Sequence, residues 1–106
     1  MERYEYGRLL EYSFHNDNFS ERQAAFAYVL QTEHGSTVLQ QTSLLATLNE
    51  IGRHGWIVYE VIHPSQPHSA KTPMSQAYLD LFQQAHGWRP GVGQMGGQRS
   101  LRRVLS

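Results

Sequence analysis

The stretch from Leu48 to Ile62 constrains the fold most, because it predicts a helix, a tight turn and a strand in direct succession. Four apolar residues recur at helical spacing and predict one buried face for a helix over residues 43–51: Leu44, Leu45, Leu48 and Ile51. Thr42 or Ser43 can cap the first amides, and Gly52 is expected to end the helix in the left-handed conformation. The strand that follows is apolar on both faces, which predicts a central position in a sheet.

Residues 4–14 alternate as a strand does. One side is mostly aromatic and consists of Tyr4, Tyr6, Arg8, Leu10, Tyr12 and Phe14. The other side carries Glu5 and Glu11, which are expected to be solvated charges. Residues 24–32 fit either a helix, with Ser20 and Gln23 as a capping box, or a strand. We favour the strand, with Phe26 and Tyr28 joining the aromatic face and a hairpin turn at residues 33–36 leading into residues 37–40.

A second helix is predicted over residues 73–86 by its apolar stripe of Met74, Ala77, Tyr78, Leu81, Phe82 and Ala85. Thr72 is expected to cap this helix, Pro73 to occupy its first position and Gly87 to end it. Residues 87–98 hold five of the nine glycines, which predicts a loop before a short last strand at residues 101–105. The expected fold is one α+β domain over residues 1–106, an antiparallel sheet of four or five strands packed with two helices.

Charge is distributed unevenly along the chain. Residues 1–70 hold four arginines against eight acidic residues, whereas residues 71–106 hold one lysine and four arginines against Asp80 alone. The net charge of zero disfavours non-specific nucleic-acid binding, but the basic tail could meet a small anion or acidic groups of another copy. There is no cysteine, no signal-peptide pattern and no long apolar run, which together favour a cytoplasmic protein without membrane contact.

Tyr4-Glu5-Tyr6, the segment from Leu48 to Gly52 and Gly55-Trp56 together resemble a family of small, mostly uncharacterised bacterial and phage domains. Its members open with a YxY-type strand, carry a helix-to-strand signature of the form LNELGxxGWE, and often end in a short basic strand similar to residues 101–105. This chain departs from the pattern at Ile57, where an acid often follows the tryptophan, and in its added helix. The resemblance implies a small antiparallel sheet packed by a helix, and it implies no established reaction or catalytic residue.

No catalytic or metal-binding motif stands out. Residues 91–96 spell GxGxxG, but Pro90 precedes them and only ten residues follow, which excludes a dinucleotide-binding βαβ unit. The six histidines show no HExxH spacing, and there is neither a GxSxG elbow nor a paired-carboxylate arrangement. We therefore predict no cofactor, no metal ion and no catalytic residue.

The aromatic and basic residues are the better lead to function. Trp88 and Arg89 set a planar ring beside a guanidinium, which suits a nucleobase and a phosphate. The predicted ligand-binding residues are Trp88, Arg89, Arg99, Arg102, Arg103 and Tyr6. The preferred hypothesis is a non-enzymatic binding protein that holds a small anionic, nucleotide-like ligand, and the resemblance to phage domains suggests sequestration of a host signal.

Two alternatives stay open. In the first, the chain is a protein–protein interaction module or inhibitor that acts as a homo-oligomer, because sheet edges of small domains often pair. In the second, it is a small enzyme with His63 or His54 as general base.

Overall fold

A computed structural model of the protein describes residues 3–14, 26–62, 74–87 and 93–105. Five strands and two helices follow one another in the order β1 (Arg3–Phe14), β2 (Phe26–Thr32), β3 (Gly35–Val38), α1 (Leu44–Arg53), β4 (Ile57–Ile62), α2 (Gln76–His86) and β5 (Gly93–Leu105). The strands form one antiparallel sheet in the spatial order β3-β2-β1-β5-β4. The predicted α+β fold with an antiparallel sheet and two helices is confirmed.

The two longest strands, β1 and β5, lie side by side along their whole length. Their register runs from Arg3 opposite Leu105 to Phe14 opposite Gly93, with a bulge between Glu11 and Tyr12. The predicted loop is therefore wrong over residues 93–98, which belong to β5. Glycine weakens a strand, but β1 supplies hydrogen-bonding partners along this stretch and overrides the local preference, while β4 reaches only as far as Gln98.

Each face of the sheet is covered by a different helix. One buried cluster joins α2 to β1, β2 and β3 and consists of Leu10, Tyr12, Ala27, Val29, Val38, Met74, Leu79 and Phe82. The other joins α1 to the opposite face and consists of Leu9, Tyr28, Ile51, Trp56 and Leu101. Neighbouring residues of a strand point to opposite faces of the sheet, so Leu10 belongs to the cluster under α2 and Leu9 to the cluster under α1.

This two-sided burial corrects the interpretation of β1 and β2. The predicted set of alternating residues is right, but the face that carries Glu5 and Glu11 is also covered. Glu5 is buried, and Glu11 is half-buried and accepts a hydrogen bond from the Tyr28 hydroxyl at 2.8 Å. Register places Phe26 opposite Ser13 and Tyr28 opposite Glu11, so neither joins the aromatic face of β1 as predicted.

The remaining strands form the two sheet edges. The favoured strand over residues 24–32 is confirmed for Phe26–Thr32, and Glu33 and His34 form the turn into β3; Ser20 and Gln23 lie outside the described residues. The central position predicted for β4 is wrong. Among the described strands it pairs with β5 alone, and it leaves Ile57, Tyr59 and Val61 about half exposed. The apolar residues on both faces of β4 therefore belong to a partly exposed strand at the edge of the described sheet, not to a buried central strand.

Helix α1 begins as predicted but ends later. The Ser43 hydroxyl accepts from the amide of Ala46, which confirms it as N-cap. Gly52 stays helical, and Gly55 takes the left-handed position (φ 87°), with the amide of Trp56 bonded to the carbonyl of Ile51 in a Schellman motif. Leu45, predicted to be buried, is 71% exposed, because the face that packs on the sheet continues through Thr47 instead.

Helix α2 begins later than predicted. Ser75 is its N-cap and Met74 precedes the helix, while Thr72 and Pro73 lie outside the described residues. Gly87 ends the helix in the left-handed conformation (φ 79°), as predicted. No helix among the described residues is long and apolar enough to cross a membrane.

Candidate functional site

Strand β5 distributes the predicted basic residues over both faces of the sheet. Arg99 and Arg103 lie opposite Leu9 and Glu5, on the face that α1 covers. Arg102 lies opposite Tyr6, on the other face. Trp88 and Arg89 lie outside the described residues. The structure thus brings together Tyr6 and Arg102, and it separates them from Arg99 and Arg103.

Arg103 is held by a buried carboxylate. Its Nε donates to Oε1 of Glu5 at 2.6 Å, its Nη1 donates to the carbonyl of His54 at 3.3 Å, and its guanidinium stacks 4.4 Å from the centre of the Trp56 ring. The indole in turn lies against Gly7, where an added Cβ would come within 3.3 Å of the ring. These contacts join β1, β5 and the end of α1, which is a structural role.

Arg102 has different surroundings. Its guanidinium lies 4.9 Å from the ring centre of Tyr4 and 5.6 Å from that of Tyr59, and its Nε is buried with no hydrogen-bond partner among the described residues. None of the carboxylates in the described segments forms an ion pair with it. Cation–π contacts orient a guanidinium without neutralising its charge, so Arg102 is available to an anion.

The rings around Arg102 form a continuous surface, which we call the tyrosine–arginine patch (Tyr4, Tyr6, Tyr59 and Arg102). Tyr6 packs tilted against Tyr4 and edge-on against Tyr59, with ring centres 6.3 and 6.2 Å apart. Tyr6 and Tyr59 are 58% and 50% exposed. The apolar cluster under α2 occupies the other end of this sheet face, so the patch is the end that α2 leaves open.

Beside the patch lies an open depression of about 340 Å³, lined by residues that include Tyr6, Arg8, Gln31, Tyr59 and Ser100. Arg8 brings a second positive charge and sits directly opposite Ser100. The Ser100 hydroxyl donates to Glu60 at 3.5 Å, which places one carboxylate at the rim. The depression therefore combines exposed rings for stacking with the guanidinium of Arg8, and Arg102 supplies the other positive charge in the adjoining patch.

A second cavity, of about 290 Å³, lies on the opposite face and is called the Glu5 cavity here. Its lining includes Glu5, His34, Glu50, His54, Trp56 and Arg103. His54 contacts Glu50 at 3.3 Å, and Glu50 also binds Arg53 at 2.9 Å, so this carboxylate is shared between two basic side chains at the end of α1. His63, the other candidate general base, lies outside the described residues.

Two buried tyrosines stand apart from both cavities. Burial, reinforced by the hydrogen bond to Glu11, raises the pKa of Tyr28 far above its ordinary value of 10.0. Burial, with a smaller contribution from Tyr78, also raises the pKa of Tyr12. Both phenols therefore ionise less readily than an exposed tyrosine, and both side chains belong to the core.

Sequence reasoning missed Tyr4, Tyr59 and Arg8 as members of the site. The alternation of residues 4–14 already placed Tyr4, Tyr6 and Arg8 on one side, so two of the three were within reach of the sequence. The position of Tyr59 was not, because a bulge between Val58 and Glu60 shifts the pairing of β4 with β5.

Comparison with known proteins adds no relative to this picture. No family model matches the chain, and neither a curated protein nor a solved structure is similar to it.

Proposed function

We propose that the protein is a non-enzymatic binding protein that holds a small planar anion, of the nucleotide class, on the tyrosine–arginine patch. The observation that carries the proposal is Arg102, which lies between the rings of Tyr4 and Tyr59 without an acidic partner in the part of the chain that the structure describes. The ring of such a ligand stacks on Tyr6 or Tyr59, and its phosphate meets Arg102 or Arg8. Sequestration of a host signal, suggested by the resemblance to phage domains, is one use of such a protein.

The test is a titration with a panel of mono- and dinucleotides, followed by thermal shift and calorimetry. Arg102→Met removes one charge from the patch and is expected to weaken binding at least about tenfold, the cost of a charge-assisted hydrogen bond. Arg53→Met removes the same charge from an exposed position on α1 and is expected to leave binding unchanged. Equal binding by the two variants, or no nucleotide binding by the unaltered protein, would contradict the proposal.

Glu60 offers a variant of opposite sign. Its carboxylate lies at the rim of the depression through Ser100, so it repels an anion there. Glu60→Gln is expected to tighten nucleotide binding, with the gain disappearing at high salt. Weaker binding by this variant would show that the anion sits elsewhere.

A second candidate function, self-association, rests on β4. One side of this strand pairs with none of the described strands, Ile57, Tyr59 and Val61 are half exposed, and a second copy could extend the sheet across that side. Val61→Lys is expected to lower the mass measured by light scattering if β4 is the interface. Deletion of residues 98–106 would not be a clean test, because these residues include most of β5, which lies between β1 and β4.

A further inference from the structure

Three side chains that can ligate a metal ion converge on the face opposite the tyrosine–arginine patch. Glu5 comes from β1, and Glu33 and His34 come from the turn between β2 and β3; each offers one ligand atom within 4.8 Å of the other two. Strand register explains the meeting, because Arg8 of β1 lies opposite Gln31 of β2 and the turn that follows β2 therefore lies level with Glu5.

The hydrogen bonds of Glu5 supply an independent sign of a ligand. Glu5 is 7% exposed, and its Oε1 accepts from Arg103, whereas Oε2 is buried with no hydrogen-bond partner among the described residues. A buried carboxylate oxygen without a donor is costly, since it has lost its water and gained nothing in return. A cation bound beside Oε2 would remove that cost.

We propose that Glu5, Glu33 and His34 form a binding site for a divalent transition-metal ion. Imidazole together with carboxylates suits ions such as Zn²⁺, whereas Mg²⁺ and Ca²⁺ are bound by oxygen ligands. Three protein ligands leave a position for water or another small ligand on zinc. The Glu5 cavity provides room for that ligand, because Glu5 and His34 both line it.

The charges and the exposure of the three side chains are compatible with a bound cation. Two carboxylates face one guanidinium, Arg103, so the group retains a net negative charge. Glu33 and His34 are 72% and 78% exposed and lie 3.4 Å apart, which leaves their side chains free to close on an ion while β1 holds Glu5 in place. This site is independent of the proposed nucleotide site, which lies on the other face.

The experiment titrates untagged protein with ZnCl₂ by calorimetry, with MgCl₂ in a parallel arm and Co²⁺ absorption as a report of ligand geometry. We expect saturable one-to-one binding of Zn²⁺ and no comparable binding of Mg²⁺. His34→Ala and Glu33→Gln alter only exposed turn residues, so they should fold normally and lose at least about tenfold in zinc affinity. Glu5→Gln should lose as much, and its unfolding curve shows whether the fold survives.

His54→Ala is the matched control, because His54 lines the same cavity outside the three-residue group. It should keep the affinity of the unaltered protein for Zn²⁺. Retained affinity in His34→Ala, loss of affinity in His54→Ala, or no saturable binding by the unaltered protein would each overturn the proposal. Arg102→Met should bind zinc normally, so failure of the nucleotide proposal and failure of this one are separate results.

Discussion

Arg102 and Arg103 are neighbours in the chain, yet they serve the two faces of the sheet in different ways. Arg103 lies under the end of α1, pairs with buried Glu5 at 2.6 Å and stacks on Trp56. Arg102 lies on the face that α2 leaves partly open, between the rings of Tyr4 and Tyr59. The same side chain is thus a structural tie where a carboxylate is buried with it, and a candidate ligand contact where its described partners are aromatic rings.

The largest expected difference between the faces is in stability. Arg103→Met leaves the Glu5 carboxylate buried without its partner and should lower the free energy of unfolding by about 3 kcal/mol, near the lower end for a broken buried pair. Arg102→Met removes the cation–π contacts with Tyr4 and Tyr59 and should cost less than about 1 kcal/mol. Urea unfolding of both variants measures the difference. Equal losses would mean that the two arginines have the same role.

A second test addresses the packing of Trp56 on β1. Gly7→Ala would place its Cβ 2.8 Å from the backbone oxygen of Gln31 and 3.3 Å from the Trp56 ring. Backbone cannot move aside as a flexible side chain can, so we expect destabilisation by about 2 kcal/mol. The measurement is again urea unfolding. An unchanged midpoint would show that the indole does not press on β1.

A pH test compares the buried tyrosines, with Tyr28 under α1 and Tyr12 under α2. Both pKa values are raised, so above pH 10.0 the unfolded chain releases protons that the folded chain retains. The contribution of these two tyrosines to the free energy of unfolding should be constant below pH 10.0. Above that pH it should fall, by at most about 1.4 kcal/mol per pH unit for each tyrosine.

Tyr28→Phe is the control for that test and removes one of the two groups. Unfolding in urea at several alkaline pH values should give a shallower decline for this variant than for the unaltered protein. An identical decline would assign the whole effect to other groups.

The smallest expected effect is a gain. Gly52 lies in the last turn of α1, on its exposed side, with nothing within 4 Å of an added Cβ. Gly52→Ala should stabilise the protein by about 0.7 kcal/mol, because alanine is the better helix former. It is also the counterpart of Gly7→Ala, with the opposite sign for the same change. A loss of thermal stability would mean that the helix ends at Gly52, as the sequence alone predicts.

Local sequence patterns predicted the positions of helices and strands more reliably than they predicted which strands lie next to each other. The alternation of residues 4–14, the cap at Ser43 and the end of α2 at Gly87 depend on nearby residues, and the structure confirms each. The central position of β4 and the loop over residues 93–98 failed, because both depend on which strand pairs with which. Strand pairing depends on contacts across the whole sheet, so it cannot be predicted from a short segment of sequence.

The candidate sites show the same difference between features that depend on local sequence and features that depend on strand pairing. Tyr6 and Arg102 were predicted together, and strand register places them opposite each other. The burial of Glu5 could not be predicted from the sequence. It depends on Arg103, which is far along the chain but lies opposite Glu5 in the sheet and donates a hydrogen bond to its carboxylate. The sequence does not distinguish the turn residues Glu33 and His34 from ordinary solvated side chains. Their proximity to Glu5 depends on the register in which β1 pairs with β2.

The adjacency of β1 and β5 has a consequence for how the protein is made. The first described strand finds its longest partner only in the last, with Arg3 opposite Leu105. During synthesis, β1 therefore lacks the hydrogen-bonding partner of one edge until β5, about 80 residues later in the chain, has been made. Such distant pairing slows folding and lengthens the time in which nascent chains can aggregate. Because Arg3 and Leu105 lie opposite each other, a version of the domain in which a short linker joins the end of β5 to the start of β1 would let these two strands emerge together.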